Sequence, residues 1–229
     1  MSEWWTYRLS NFLLFSPRTY YRLFELYNAA IWPAQAAAAL AGIAVLYCLL
    51  RPSRGRGRIA AVILAASWTW VAVAFLAKRY ATINFAAVQF AWGFGIEAAL
   101  LVWTGVIRAA FGAPKPRGAR AGGAGLWICA FGIALHPFLG PLLGREWRGI
   151  EIFGVAPDPT AIATLGAVLS AAGRARWHLL VIPILWCGIS GATLLAMKDS
   201  RCWILFAAAV IALFAAFRKR STPSPRRAG

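Results

Sequence analysis

Apolar and polar positions along the chain fall into long blocks rather than short alternations. Six mainly apolar runs approach or reach the roughly 20 residues that carry a helix across a bilayer. They cover residues 29–50, closed by Arg51; 59–77, closed by Lys78 and Arg79; 85–107, closed by Arg108; 122–143, closed by Arg145; 178–197, closed by Lys198 and Asp199; and 202–217, closed by Arg218, Lys219 and Arg220. A seventh run, 160–172, is short and reads either as a span or as a re-entrant hairpin. The pattern predicts an all-α, polytopic transmembrane helix bundle of seven spans, or six if the fifth re-enters.

Ahead of the first run the period changes. Tyr20, Leu23, Phe24, Tyr27 and Ile31 recur at helical spacing, with Arg18, Arg22 and Glu25 on the opposite face. Ser16 suits a helix cap, and Pro17 suits the first helical position, where its missing N–H would be unpaired anyway. This predicts an amphipathic helix, either lying on the outer leaflet or packed over the outer loops, that enters the first span with a kink near Pro33. A cleavable signal peptide is not expected, because Glu3 precedes any positive region and residues 12–15 are too short a hydrophobic stretch. Three units follow: an outer segment (1–28), the helix bundle (29–217) and a basic tail (218–229) expected to be disordered and drawn to anionic lipid headgroups.

Composition supports the membrane reading. The chain is 61% hydrophobic and 14% charged, far from the balance of a soluble domain. A soluble enzyme domain, a disordered protein and a nucleic-acid module are excluded on this ground. The formal charge of +17 on 229 residues then becomes an orientation signal, since Lys and Arg are retained on the cytoplasmic side of short loops. Seven spans with the N-terminus outside place fifteen basic residues in cytoplasmic loops and tail and nine outside. The six loop acids, Glu3, Glu25, Glu146, Glu151, Asp158 and Asp199, all fall outside. Without a fifth crossing the basic count would become ten inside and fourteen outside, reversing the bias. The C-terminus is therefore expected in the cytoplasm. Trp4, Trp5, Trp32, Tyr80, Trp147 and Trp203 fall near the expected outer boundary, and Trp127 and Trp177 near the inner one, as amphipathic rings prefer.

Ionisable side chains inside a span are costly and therefore informative. Glu97 lies twelve residues into the third span, roughly 18 Å deep. It reads as a proton or cation site, or as a neutral acid joining helices. His136, before Pro137, lies about 10 Å below the outer end of the fourth span. It reads as part of a relay with Glu97, or as the partner of a carbonyl freed by Pro137. Gln35, Asn84 and Gln89 complete a candidate polar path. In the loop 153–160, Asp158 and Thr160 mark a second candidate site on the outer side: Pro159 in the first turn with Asp158 as cap would start a helix whose N-terminus faces that side. His136 and His178 stand too far apart along the bundle to share a haem, and no His, Cys, Asp or Glu spacing matches a known metal motif. No metal and no cofactor is expected. Cys48, Cys129, Cys187 and Cys202 read as buried free thiols.

Several motifs together resemble an uncharacterised family of bacterial multi-spanning membrane proteins, catalogued as a domain of unknown function. They are Phe24 with the run Tyr27-Asn28-Ala29-Ala30-Ile31-Trp32-Pro33-Ala34-Gln35; Ile83-Asn84; Phe153-Gly154-Val155 with Pro157 and Pro159-Thr160; and Ile182-Pro183 with Trp186. That family's pattern often carries a cysteine between the two prolines, where this chain has Asp158, and an amide where it has Glu97. The resemblance implies a bacterial inner-membrane location and no specific activity.

The functional expectation is transport or permeation of a small solute or ion along Glu97, His136, Gln89, Gln35 and Asn84. The alternative is a non-catalytic assembly or sensory subunit that docks a membrane-protein partner, or a second copy of itself, through the N-terminal helix. An enzyme is not expected, because no nucleophile–base pair and no metal set is visible. The expected partners are the bilayer and its anionic headgroups, and no nucleic acid.

Overall fold

The computed structural model describes residues 15–112, 123–173 and 175–221. Its helices are α1 (Pro17–Ile31), α2 (Ala34–Leu50), α3 (Arg54–Trp70), α4 (Ala87–Leu101), α5 (Gly123–Ala130), α6 (His136–Leu142), α7 (Pro157–Ser170), α8 (Val181–Ala196) and α9 (Cys202–Ser221). Helices α3 and α4 continue as π-helical turns, Val71–Ala77 and Val102–Ile107, and another π-helical turn, Phe131–Leu135, joins α5 to α6. No strand occurs among the described residues.

Five helical stretches are long and apolar enough to cross a membrane: Arg54–Thr82, Ala87–Ile107, Gly123–Leu142, Trp177–Ala196 and Cys202–Lys219. The pair α1 and α2 would supply a sixth, but is bent by 91° at Trp32 and Pro33. Large apolar side chains left outward along these helices, such as Leu40, Trp92, Trp103, Trp127 and Val210, are what a lipid-facing wall requires. Ser16 caps α1 as expected, its hydroxyl accepting from the Thr19 amide, and Pro17 opens the helix. The apolar face of α1 is turned into the protein: Tyr20, Leu23, Phe24 and Tyr27 are buried. The helix packs on the turn Trp147–Gly149 and on α2.

Helix α7 holds the centre of the molecule. All fourteen of its residues are buried, and it packs against α3, α5, α8 and α9. Fourteen residues rise about 21 Å, less than the ~30 Å hydrocarbon layer. Non-helical backbone precedes the helix. The chain turns at Gly154, whose φ of +84° suits glycine, and Val155 and Ala156 are already buried before α7 begins. Buried irregular backbone needs its polar groups satisfied by the protein around it. Contact between α5 and α7 is backbone to backbone. A Cβ on Gly166 would lie 2.2 Å from the Cys129 amide nitrogen, and one on Gly125 would lie 2.5 Å from the Ser170 nitrogen. Small residues of this kind let helices associate in lipid, where burial of apolar surface supplies no drive. At the far end of α7, the Lys219 ammonium donates to the carbonyls of Leu169 and Ala171, placing a cation at the negative end of the helix dipole.

Candidate functional site

The first turn of α6, the loop before α7 and the middle of α8 meet at the start of α7. Asp158 was expected to cap this helix. Instead Ala156 is the cap residue, without a side-chain bond, and Pro157 opens the helix. The Asp158 carboxylate is thereby freed to turn toward α8, where Trp186 Nε1 donates to Oδ1 at 2.8 Å and the Ser190 hydroxyl donates to Oδ2 at 2.9 Å. Glu151 reaches the same place from the incoming loop, and His136 from the first turn of α6. One donor atom from each of His136, Glu151 and Asp158 lies within 4.8 Å of the others. All three side chains are buried. Among the described residues this is the one His/Cys/Asp/Glu group close enough to hold a metal ion. The fold therefore assembles a candidate ligand set that no linear spacing announced.

The centre is held by an ionic frame. Arg201 Nη1 donates to Glu151 Oε1 at 2.6 Å, while its Nε donates to Asp199 Oδ2 at 3.0 Å. Asp199 Oδ2 also accepts from Arg145 Nη2 at 2.8 Å and from the Tyr21 hydroxyl at 3.0 Å, with the Arg145 guanidinium stacked 3.3 Å from the Tyr21 ring centre. Burial alone would raise Asp199, but the Arg201 and Arg145 guanidiniums outweigh it and hold the carboxyl below its ordinary range. Burial would lower the Arg201 guanidinium, and Glu151 and Asp199 more than offset that. Asp158 has no ion-pair partner among the described residues, and its carboxylate is held by the hydrogen bonds from Trp186 and Ser190.

A cleft of about 320 Å³ opens over this frame, lined by Tyr21, Arg145, Glu146, Glu151 and Arg201 among others. Beside it, a larger cleft of about 890 Å³ runs between α1 and the turn after α3, where Arg18, Arg22, Lys78 and Arg79 lie. Two polar atoms at the centre, His136 Nδ1 and Glu151 Oε2, are buried without a hydrogen-bond partner. Such atoms are costly to leave unsatisfied.

The five residues of the expected polar path do not converge. His136 alone joins the centre. Gln35 donates to the Asn28 carbonyl at 2.6 Å. The Asn84 side chain accepts from the Ala86 amide at 3.0 Å at the entry to α4. Gln89 is exposed, its amide nitrogen donating to the Phe85 and Ala86 carbonyls. Glu97 is fully buried on the inward face of α4, between Phe94 and Leu101, and neither carboxylate oxygen has a partner. Trp186, which holds Asp158, packs edge-on against Phe94 at 5.0 Å, three residues before Glu97 on α4, and Phe94 lies 4.1 Å from Trp68 between ring centres. Thr160 serves the backbone, accepting from the Gly154 amide and donating to the Ala156 carbonyl. His178 sits with Thr104, their Nε2 and Oγ1 atoms 2.9 Å apart, rather than beside His136. The four cysteines are buried and free.

Sequence reading passed over Glu151, Asp199 and Arg201 as loop charges. The available signal was scarcity: three of only seven acidic residues gather here, with two arginines.

Five helices long and apolar enough to cross a membrane, packed with a short buried helix that carries a polar centre at its start, are the architecture a membrane protein requires. Residues 18–227 match the model of a family of unknown function, DUF6064, and the chain belongs to that family. No curated protein and no solved structure matches it. Some of the motif residues tie the loop before α7 and Asp158 into the bundle. The Tyr27 hydroxyl donates to the Val155 carbonyl, and Asn28 donates to the carbonyls of Arg148 and Ile150. Trp186 holds Asp158.

Proposed function

We propose that this protein moves a small cation across a bacterial inner membrane, with His136, Glu151 and Asp158 as its outer binding site. The observation that carries the reading is that Glu151 lines the open cleft and also belongs to the buried centre. An ion entering the cleft therefore meets a ligand of the centre at once. Below it, Trp186, Phe94 and Trp68 form an aromatic plug, and Glu97 is the acceptor beyond the plug. Displacing Phe94 and Trp186 would let the ion exchange one carboxylate for the other. The π-helical turns in α3, in α4 and between α5 and α6 supply the looser hydrogen bonding at which such displacements start. In this reading the chain crosses seven times, with α7 and its entry loop as the fifth crossing, the N-terminus outside and the C-terminus cytoplasmic. The excess of basic residues on the cytoplasmic side supports that orientation.

The role is non-enzymatic. A partner-subunit role has less support, because the apolar face of α1 that would dock a neighbour is already packed on its own bundle.

Flux into proteoliposomes tests the proposal. Proton, zinc and manganese entry are each followed with an internal indicator for the parent, Asp158→Asn and Glu97→Gln. The parent is expected to carry one of these ions, and each variant to slow it. Entry no faster than in protein-free vesicles for all three ions, or entry unchanged in both variants, would overturn the reading.

A further inference from the structure

We propose that His136, Glu151 and Asp158 bind one divalent transition-metal ion of the zinc class. The inference rests on the reading of this centre as a cation site and specifies the ion. Three donors around zinc, at bond lengths of about 2.0–2.2 Å, stand roughly 3.4 Å apart in a tetrahedron. Donor atoms already within 4.8 Å of one another therefore have to close by at most about 1.4 Å, within the reach of side-chain rotation.

The pattern of hydrogen bonds says which atoms are free for the ion. Glu151 gives Oε1 to Arg201 and leaves Oε2 buried and unpartnered. His136 leaves Nδ1 buried and unpartnered, an acceptor when the proton is on the other ring nitrogen. Both residues are less than a tenth exposed, and a cation supplies what both atoms lack. Asp158 is oriented by Trp186 and Ser190 through one lone pair on each oxygen, leaving the others for the ion. These neighbours correspond to the outer partners that fix ligands in metal sites. Formal charge agrees: Glu151, Asp158 and Asp199 outnumber Arg145 and Arg201 by one. An imidazole between two carboxylates selects zinc, cobalt or manganese over calcium or magnesium, which prefer all-oxygen shells. Three protein ligands beneath an open cleft leave a coordination position for water or an exchanging ligand, as in zinc sites that act rather than only brace.

The test uses the full chain in detergent, stripped with a chelator and titrated with Co²⁺ and with Zn²⁺ against a chromophoric competitor. One equivalent is expected, with the visible d–d bands of four-coordinate cobalt. His136→Gln and Asp158→Asn should weaken binding by about a hundredfold or more, and Ser190→Ala by about tenfold. Each variant is first checked for parent-like elution and tryptophan fluorescence. Should a ligand variant fail that check, Ser190→Ala decides. No bound equivalent, or parent-like affinity in the variants that fold, would overturn the proposal. Metal binding without flux would leave the site standing and remove transport. Proton flux without metal binding would do the reverse.

Discussion

Removing Arg201 should be one of the most damaging single changes to this protein. The Arg201–Glu151 contact is 2.6 Å, and the two side chains are 6% and 4% exposed. At an effective dielectric of about 20, two unit charges at that separation attract by roughly 6 kcal/mol. Desolvation consumes much of this. What Arg201→Met changes, however, is whether Glu151 retains a partner, and breaking a buried pair from one side costs about 3–5 kcal/mol. The lower end applies here, because Asp199 keeps Arg145 and Tyr21 when Arg201 is gone. A loss of about 3 kcal/mol corresponds to roughly 6–12 °C in melting temperature for a chain of this size. The double variant Arg201→Met with Glu151→Gln removes both charges and should recover most of the loss. Equilibrium unfolding in mixed micelles, followed by helical circular dichroism, measures all four corners of the cycle. A single variant within about 1 kcal/mol of the parent, or a double variant equal to the sum of the singles, would refute the account of the ionic frame.

Asp199 supplies a pH dependence. Its folded carboxyl is held below the ordinary value, so its stabilisation is fully present above the unfolded pKa of about 3.9 and is lost as pH falls through the folded value. Midpoints of unfolding should therefore fall below about pH 4 in the parent and more shallowly in Asp199→Asn; parallel curves would exclude Asp199 as the cause. Gly166→Ala places a methyl 2.2 Å from the Cys129 backbone nitrogen, so α5 and α7 must separate. A loss at or above the 1–3 kcal/mol of ordinary overpacking is expected in the same unfolding assay, and a neutral result would show that the helices are not in contact there.

The bundle was legible because lipid imposes length and apolarity on each wall helix. The runs that became α3, α4, α8 and α9 stand out on those two properties alone, and Ser16 with Pro17 announces the start of α1. The centre was much less so. Asp158 attracted notice through its flanking prolines, yet its role depends on Trp186 and Ser190, twenty-eight and thirty-two residues further on. Glu151 and Arg201 look like any loop charges until the fold folds their loops inward. The sequence-based expectation of no metal rested on local spacing, and local spacing cannot report a cluster drawn from the start of α6, the loop before α7 and the first turn of α7. Gln89 misled for the opposite reason: a polar residue in an apolar run was taken as inward-facing, whereas it lies near enough to the start of α4 to satisfy itself on the Phe85 and Ala86 carbonyls.

Helix α7 also bears on how the protein is made. Insertion machinery admits helices by length and apolarity, and a fourteen-residue segment that opens Pro-Asp-Pro-Thr falls short on length. Two of its walls, α8 and α9, are translated after it. The segment should therefore remain outside the hydrocarbon layer until those later helices arrive and enclose it. In a chain truncated after residue 180, a cysteine placed at Ser170 should react with a reagent that the full-length protein excludes; protection in the truncated chain would show that α7 enters alone. The last part of the bundle to be settled would then be the helix at its middle.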